Sequence, residues 1–212
     1  LIDLALDPFS PMVLSSINMQ LSKLLGKTLR ETPSEAESAS HRLLLQSGMV
    51  TQIAAGIYSY LPLAWKALQN VDKIIREEMD AVGGQELMMP AIHPLEMWEA
   101  TGRDQAMNDV LFHLTDKRNR QFVLGPTHEE IIVELFRRQI RSYRDLPLFV
   151  YQIQQKFRDE PRPRGGLIRL RQFTMKDLYS FHTNWDDLDL AYQTMFDSYQ
   201  KIFQRCGVPT VP

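Results

Sequence analysis

The sequence predicts an α+β fold, an antiparallel sheet flanked by helices. Two observations carry this. Apolar and polar residues alternate from Leu148 to Glu160 and again from Leu167 to Asp177, the period of a strand, and the Pro161 to Gly166 stretch between them has turn composition. Earlier in the chain Ala64, Leu68, Val71, Ile75 and Val82 recur at helical spacing, with Ala67 and Ile74 widening the stripe. No internal repeat, low-complexity tract or evident linker interrupts the pattern, so it reads as one unit.

Composition narrows the class of protein. With 44% hydrophobic and 24% charged residues in 212, the chain can bury a core of ordinary size in one or two domains. It lacks a run of 18 apolar residues and the order of regions typical of a signal peptide, which predicts neither a membrane span nor export, and a cytoplasmic location. One cysteine, Cys206, excludes an internal disulfide framework, and the five histidines lack paired metal-ligand spacing, so no structural metal is predicted. The net charge of −2 gives no global reason for a polyanionic partner, yet Lys156 to Arg171 holds six basic residues against two acidic ones. The positive field is local.

Residues 1–18 have no clear period, and Met19 ahead of a polar segment is a plausible start, so 1–18 is expected to be an extension. The final residues read as a new extended segment without a partner, the expectation for a fragment. Between these ends, Thr32-Pro33-Ser34-Glu35 has the pattern of a capping box and predicts a helix to about Ser47, before Gly48. Ala54 to Leu61 is short, aromatic and branched, and predicts one extended segment. Pro62 opens the long helix whose stripe is given above, and Gly83-Gly84 closes it. Gln85 to Ala91 is predicted as a strand, with Pro90 suiting an edge or an interface. His93 to Thr101 reads as a short helix ending at Gly102, Val110 to Leu114 and Gln121 to Leu124 as a hairpin, and Asp186 to Gln204 as a final amphipathic helix. A helix carrying Ile131, Ile132, Leu135, Phe136 and Ile140 follows Thr127-His128-Glu129-Glu130.

Pairing the two alternating segments as a hairpin brings Arg158 and Glu160 near Arg169, Arg171 and Phe173. Arginine forks can neutralise phosphate oxygens, a glutamate can accept from an exocyclic amine, and a phenylalanine face can stack on a base. The same alternation equally suits a solvated strand with surface charge pairs. Thr127 and Glu130 at capping-box spacing need no function to explain them, and the helix dipole favours Glu129 there too. The histidines are read as structural or solvent-facing, since no serine or cysteine nucleophile sits in a recognisable motif. Phosphate-loop and dinucleotide fingerprints are absent.

The stretch FRDEPRPRGGLIRLRQF resembles motif 2 of class II aminoacyl-tRNA synthetases: an Arg-x-Glu strand, a variable loop, and a return strand with arginine and phenylalanine. More narrowly, LGPTHEE, QIQQKFRDEPRPR and MKDLYSFH, in that order, resemble the bacterial-type prolyl-tRNA synthetases. Upstream, LRETPSEAESASHRLLLQSGMV and the long helix with LMMP resemble the start and motif 1 of that family, including its proline at Pro90. The resemblance runs from Met19 to Pro212.

What the resemblance implies is a partial class II catalytic domain. Its activity joins proline to ATP as prolyl-adenylate and then transfers the prolyl group to tRNA(Pro). ATP would arrive with Mg2+, and no tightly bound cofactor is implied. By position in the motifs, Arg158 holds the α-phosphate and the substrate carboxylate, as the catalytic residue. Glu160 takes the adenine amine, Phe173 stacks on adenine and Arg169 contacts phosphate. Thr127 and Glu129 match the Thr-x-Glu pair that receives the imino group of proline, and Met175, Asp177 and Tyr179 are expected to line its pocket. Arg162 and Arg164 are candidates to meet the tRNA acceptor end, and motif 1 around Pro90 implies a homodimer. Two departures, Gly165 in place of the family's usual phenylalanine and Gln172 in place of glutamate, bear on loop stiffness and local charge. Motif 3, the editing insertion and the anticodon-binding domain are missing, so the fragment alone is expected to be inactive. A threonyl-type enzyme and a non-catalytic RNA-binding relative are the alternatives.

Overall fold

The computed structural model describes residues 20–31, 33, 36 and 38–211. The expected extension over 1–18 and most of the Thr32 to Glu35 capping box lie outside the described residues. Helix α1 spans Ala39–Gln46 and is capped by Ser38, whose hydroxyl accepts from the His41 N–H at 3.2 Å. The predicted helix starts too early, because Pro33 and Ala36 are not helical and Ser38 supplies a competing cap.

The expected single segment from Ala54 is the second half of a hairpin, β1 (Val50–Ala54) with β2 (Ile57–Tyr60), folded at Ala55-Gly56. Helix α2 (Pro62–Ala81) starts at the proline and ends before Gly83, as its sequence requires. Its buried stripe centres on Ala64 and Met79 rather than Val71 and Ala67, which are exposed. The predicted strand after it is two residues, β3 (Gln85–Glu86), and pairs parallel at the sheet edge with β7 (Leu148–Phe157). The chain leaves the ladder there because Met89 turns inward against Ile132 and Val150, and Pro90 has no N–H to continue it.

A smaller antiparallel sheet follows, in the order β4 (Ile92–Pro94), β6 (Gln121–Leu124), β5 (Phe112–Thr115). Its predicted hairpin is present. Trp98, Leu111 and Val123 fill its core, with Trp98 on the short helix α3 (Leu95–Glu99) and α4 (Arg103–Ala106) following. Helix α5 (Glu129–Gln139) leads to the main ladder, β7 (Leu148–Phe157) antiparallel to β8 (Gln172–Phe181), in register from Leu148 opposite Phe181 to Phe157 opposite Gln172. The return strand begins later than the alternation from Leu167 suggests. Gly165 and Gly166 both have positive φ, +70° and +65°, and curl Leu167 and Ile168 into a turn closed by an Arg164–Arg169 bridge.

The two faces of this ladder differ. Tyr151, Ile153 and Leu178 pack on Ile74, Ile75 and Met79 of α2 and on Met195 and Ile202 of α6 (Trp185–Arg205). On the other face Val150, Leu148, Tyr179 and Phe181 pack under Ile131, Ile132 and Leu135 of α5. Helix α5 roofs only that end. Toward Lys156 and Phe173 the second face lies beyond it, next to the turn that begins α5.

Candidate functional site

That turn, Gly125 to His128, is fastened to β7. The Phe157 N–H donates to the Gly125 carbonyl at 3.1 Å, and Arg158 Nη2 donates to the Pro126 carbonyl at 3.3 Å. Gly125 is required by space, since a Cβ there would come within 2.7 Å of the His93 ring. The predicted capping box does not form. His128, not Thr127, occupies the cap position of α5 without a capping bond. The Thr127 hydroxyl donates to Glu129 Oε2 at 2.5 Å, and Glu130 turns to Arg103 at 2.8 Å. A guanidinium outbids the backbone amides for Glu130 because it offers a charged partner at a nearly buried position.

Arg103 also reaches Glu129 Oε2 at 3.2 Å and lies over the Trp98 ring, 5.2 Å from its centroid. Burial pushes Glu129 toward protonation, but bonds from Thr127, its own backbone amide and Arg103 overcome this and hold its carboxyl below the ordinary glutamate value. Glu130 goes the other way, since burial raises it. The result is an ionised Glu129, half exposed, beside a cleft of about 550 Å³ between α3 and α5.

The sheet register puts Gln152, Gln154 and Lys156 of β7 on one face with Phe173, Met175, Asp177 and Tyr179 of β8. By its alternation this is the polar face of β7, yet Gln152 and Lys156 have no exposed surface. Asp177 Oδ2 accepts from Lys156 Nζ at 2.9 Å, Gln152 Nε2 at 2.9 Å and the Tyr179 hydroxyl at 2.7 Å. Burial, then Asp177, raises the Tyr179 phenol and keeps it protonated. Burial lowers Lys156 while Asp177 pulls it back. Burial, with Lys156 beside one ring and His128 beside the other, pushes both His128 and His93 down to about 4.

Beyond Phe157 the hairpin meets the other prediction. Arg158 continues the ladder through its N–H to the Arg171 carbonyl at 2.9 Å, and its guanidinium lies 5.2 Å from the Phe173 ring centroid. Glu160 is buried and engaged: Oε1 accepts from the Arg162 N–H at 3.1 Å and Oε2 meets Arg169 Nε at 2.7 Å. These bonds hold it below the ordinary glutamate value. Arg171 Nε donates to the Glu160 carbonyl at 3.1 Å. Arg162 and Arg164 stand exposed on the loop.

Arg158, Glu160, Arg169 and Phe173 are therefore brought together, as are Thr127, Glu129, Asp177 and Tyr179; Met175 shares the sheet face between the two groups. Sequence reasoning missed Arg103, and the joint role of Lys156 and His128. Arg103 had no periodic signal, following a glycine in a short connection. Lys156 and His128 were visible only as one member of an alternation and one member of a turn. Among the described residues, Arg158 Nε, Gln152 Oε1 and Asp177 Oδ1 are buried polar atoms with no protein partner. Also among them, no group of histidine, cysteine or carboxylate side chains is arranged to hold a metal ion, and no helix is long and apolar enough to cross a membrane.

Residues 112–211 match the sequence model of the tRNA synthetase class II core domain of the G, H, P, S and T enzymes. With the hairpin and helix arrangement above, this identifies the chain as part of a class II aminoacyl-tRNA synthetase catalytic core. Within that class its sequence goes with the prolyl branch. It is 55% identical over 193 residues to a proline–tRNA ligase of Dehalococcoides mccartyi strain CBDB1, covering 91% of this chain and 34% of that protein. It is 53% identical over 194 residues to one from Halalkalibacterium halodurans, covering 92% and 34%. The chain thus spans about a third of the length of these curated relatives. In fold it is similar to the prolyl-tRNA synthetase of Cryptosporidium parvum complexed with halofuginone and AMPPNP, with TM-score 0.72, 22% identity, and coverage of 85% of this chain and 38% of that one. The Giardia lamblia enzyme in complex with prolyl-adenylate gives TM-score 0.69 at 22% identity, covering 73% and 33%.

Proposed function

We propose that the full-length protein activates proline with ATP to prolyl-adenylate and transfers it to tRNA(Pro), with this chain supplying the motif 1 and motif 2 part of the catalytic core. The observation that carries the reading is a pair of opposite charges on one side of the β7–β8 ladder: a guanidinium over an aromatic ring at Arg158 and Phe173, and, at the start of α5, an ionised Glu129 bonded to Thr127. An amino acid zwitterion next to a nucleotide needs that polarity. The secondary ammonium of proline donates to Glu129 and Thr127, and its carboxylate and the α-phosphate share Arg158. In-line attack of that carboxylate at phosphorus needs positioning and charge neutralisation rather than a protein nucleophile.

On this reading adenine stacks on Phe173 and its amine donates to Glu160. Arg169, whose side chain is 48% exposed, leaves Glu160 and turns to phosphate, with Mg2+ arriving on the nucleotide. Met175, Asp177 and Tyr179 shape the proline side of the site. Arg162 and Arg164 face the tRNA acceptor end, and the exposed segment at Met88 and Pro90 is the twofold contact of a cytoplasmic homodimer. The test is amino-acid-dependent pyrophosphate exchange by the full-length protein. Exchange with proline is the expected result; exchange with threonine and not proline would overturn it.

A further inference from the structure

A lysine ammonium without exposed surface is tolerated only when its donors are satisfied, and the reading above gives Lys156 no task. Its Nζ donates to Asp177 Oδ2 at 2.9 Å and to His128 Nδ1 at 2.5 Å. A lysine ammonium can only donate, so His128 Nδ1 is bare and the ring proton is on Nε2. That Nε2 donates to the Pro90 carbonyl at 3.1 Å, which also accepts from His93 Nε2 at 2.9 Å; His93 Nδ1 in turn accepts from Trp98 Nε1 at 3.4 Å. Every donor direction from Asp177 to Trp98 is thereby set. His128 lies between Thr127 and Glu129, and Tyr179, bonded to Asp177, also contacts Thr127.

We propose that Lys156 is a positioning residue of the amino-acid pocket: it neutralises Asp177 and fixes the His128 tautomer, so that a ligand ammonium is received at Glu129 rather than at a second carboxylate. The proposal rests on the amino-acid-activating function. Its chemistry follows from charge. With Asp177 compensated from inside, the half-exposed anion beside Thr127 is Glu129, which suits a substrate with one ammonium. Without Lys156, Asp177 becomes an uncompensated anion and His128 Nδ1 loses its donor.

The experiment compares the wild type with three variants of the full-length protein in pyrophosphate exchange: Lys156→Met, Asp177→Asn, and both together. Each single change leaves one buried charge unpaired and is expected to raise the KM for proline at least about tenfold, with the KM for ATP within about twofold. The double variant removes both charges and is expected to reverse part of the rise in the proline KM, the remainder reflecting the His128 ring left without its donor. A purely structural lysine would shift both KM values together, and that result overturns the proposal. So does a double variant no better than Asp177→Asn, a comparison that stands even if Lys156→Met alone does not fold. A wild-type protein without proline-dependent exchange would instead sink the functional reading itself, whereas an active wild type with an unchanged proline KM in the folded single variants removes only this proposal.

Discussion

Up to Phe157 the β7–β8 face is closed: α5 roofs it toward Val150 and Tyr179, Lys156 and Asp177 pair with each other inside the protein, and Glu130 of α5 pairs with Arg103. Past Phe157 the same two strands open into a glycine-containing loop where Arg162, Arg164 and Ile168 face solvent and Glu160 is held by an arginine that is half exposed. The difference teaches how one hairpin can do two jobs. The closed end has a single hydrogen-bonding arrangement, which suits recognition of a small substrate by shape and charge. The open end keeps charges in pairs that can exchange partners, which suits a polyphosphate that must bind and leave.

The contrast can be broken at either end. On the proposed reading Arg158→Ala should reduce exchange by about 10³-fold, some 4 kcal/mol, because it removes the cation assigned to both reacting groups. Its effect on unfolding should be small, since the side chain makes one 3.3 Å bond and a ring contact within the protein. An unchanged exchange rate would remove Arg158 from the chemistry. At the closed end, Arg103→Leu strips the partner from Glu130, whose side chain is 2% exposed, and should destabilise the fold by about 3 kcal/mol in denaturant titration. A change below about 0.5 kcal/mol would show that Glu130 is not held as described.

Acid should act on the same end. His93 and His128 ionise near 4 in the fold against 6.5 in a free histidine, so only the unfolded chain takes up their protons between those values. Their contribution is complete above pH 6.5 and declines as pH falls toward 4, by about 2 kcal/mol for each ring between pH 6.5 and 5. Equal stability at pH 7 and pH 5 would contradict two buried, neutral rings. The smallest effect belongs to the open end: Glu160→Gln should raise the KM for ATP about tenfold and leave the proline KM unchanged. A proline effect as large as the ATP effect would erase the distinction between the ends.

Much of this was legible in the sequence wherever local chemistry decides structure. Pro62 and Gly83 bound α2, the alternation after Leu148 marks the main ladder, and the motif around Arg158 and Glu160 sits where its spacing puts it. Legibility failed where a distant partner decides. Glu130 has capping-box spacing but is claimed by Arg103, 27 positions away in sequence. Lys156 belongs by pattern to the polar face of a strand, but its ammonium is taken up by His128 and Asp177, partners that no local period reveals. Two consecutive glycines at 165 and 166 curl Leu167 and Ile168 into a turn, so the return strand starts later than the alternation does.

The most direct test is a structure of the full-length protein with proline and a non-hydrolysable ATP analogue bound. The Arg169–Glu160 contact, 2.7 Å here, is expected to open beyond about 4 Å as adenine takes Glu160, while Lys156 stays 2.9 Å from Asp177. A closed Arg169–Glu160 pair beside a broken Lys156–Asp177 pair would contradict the account.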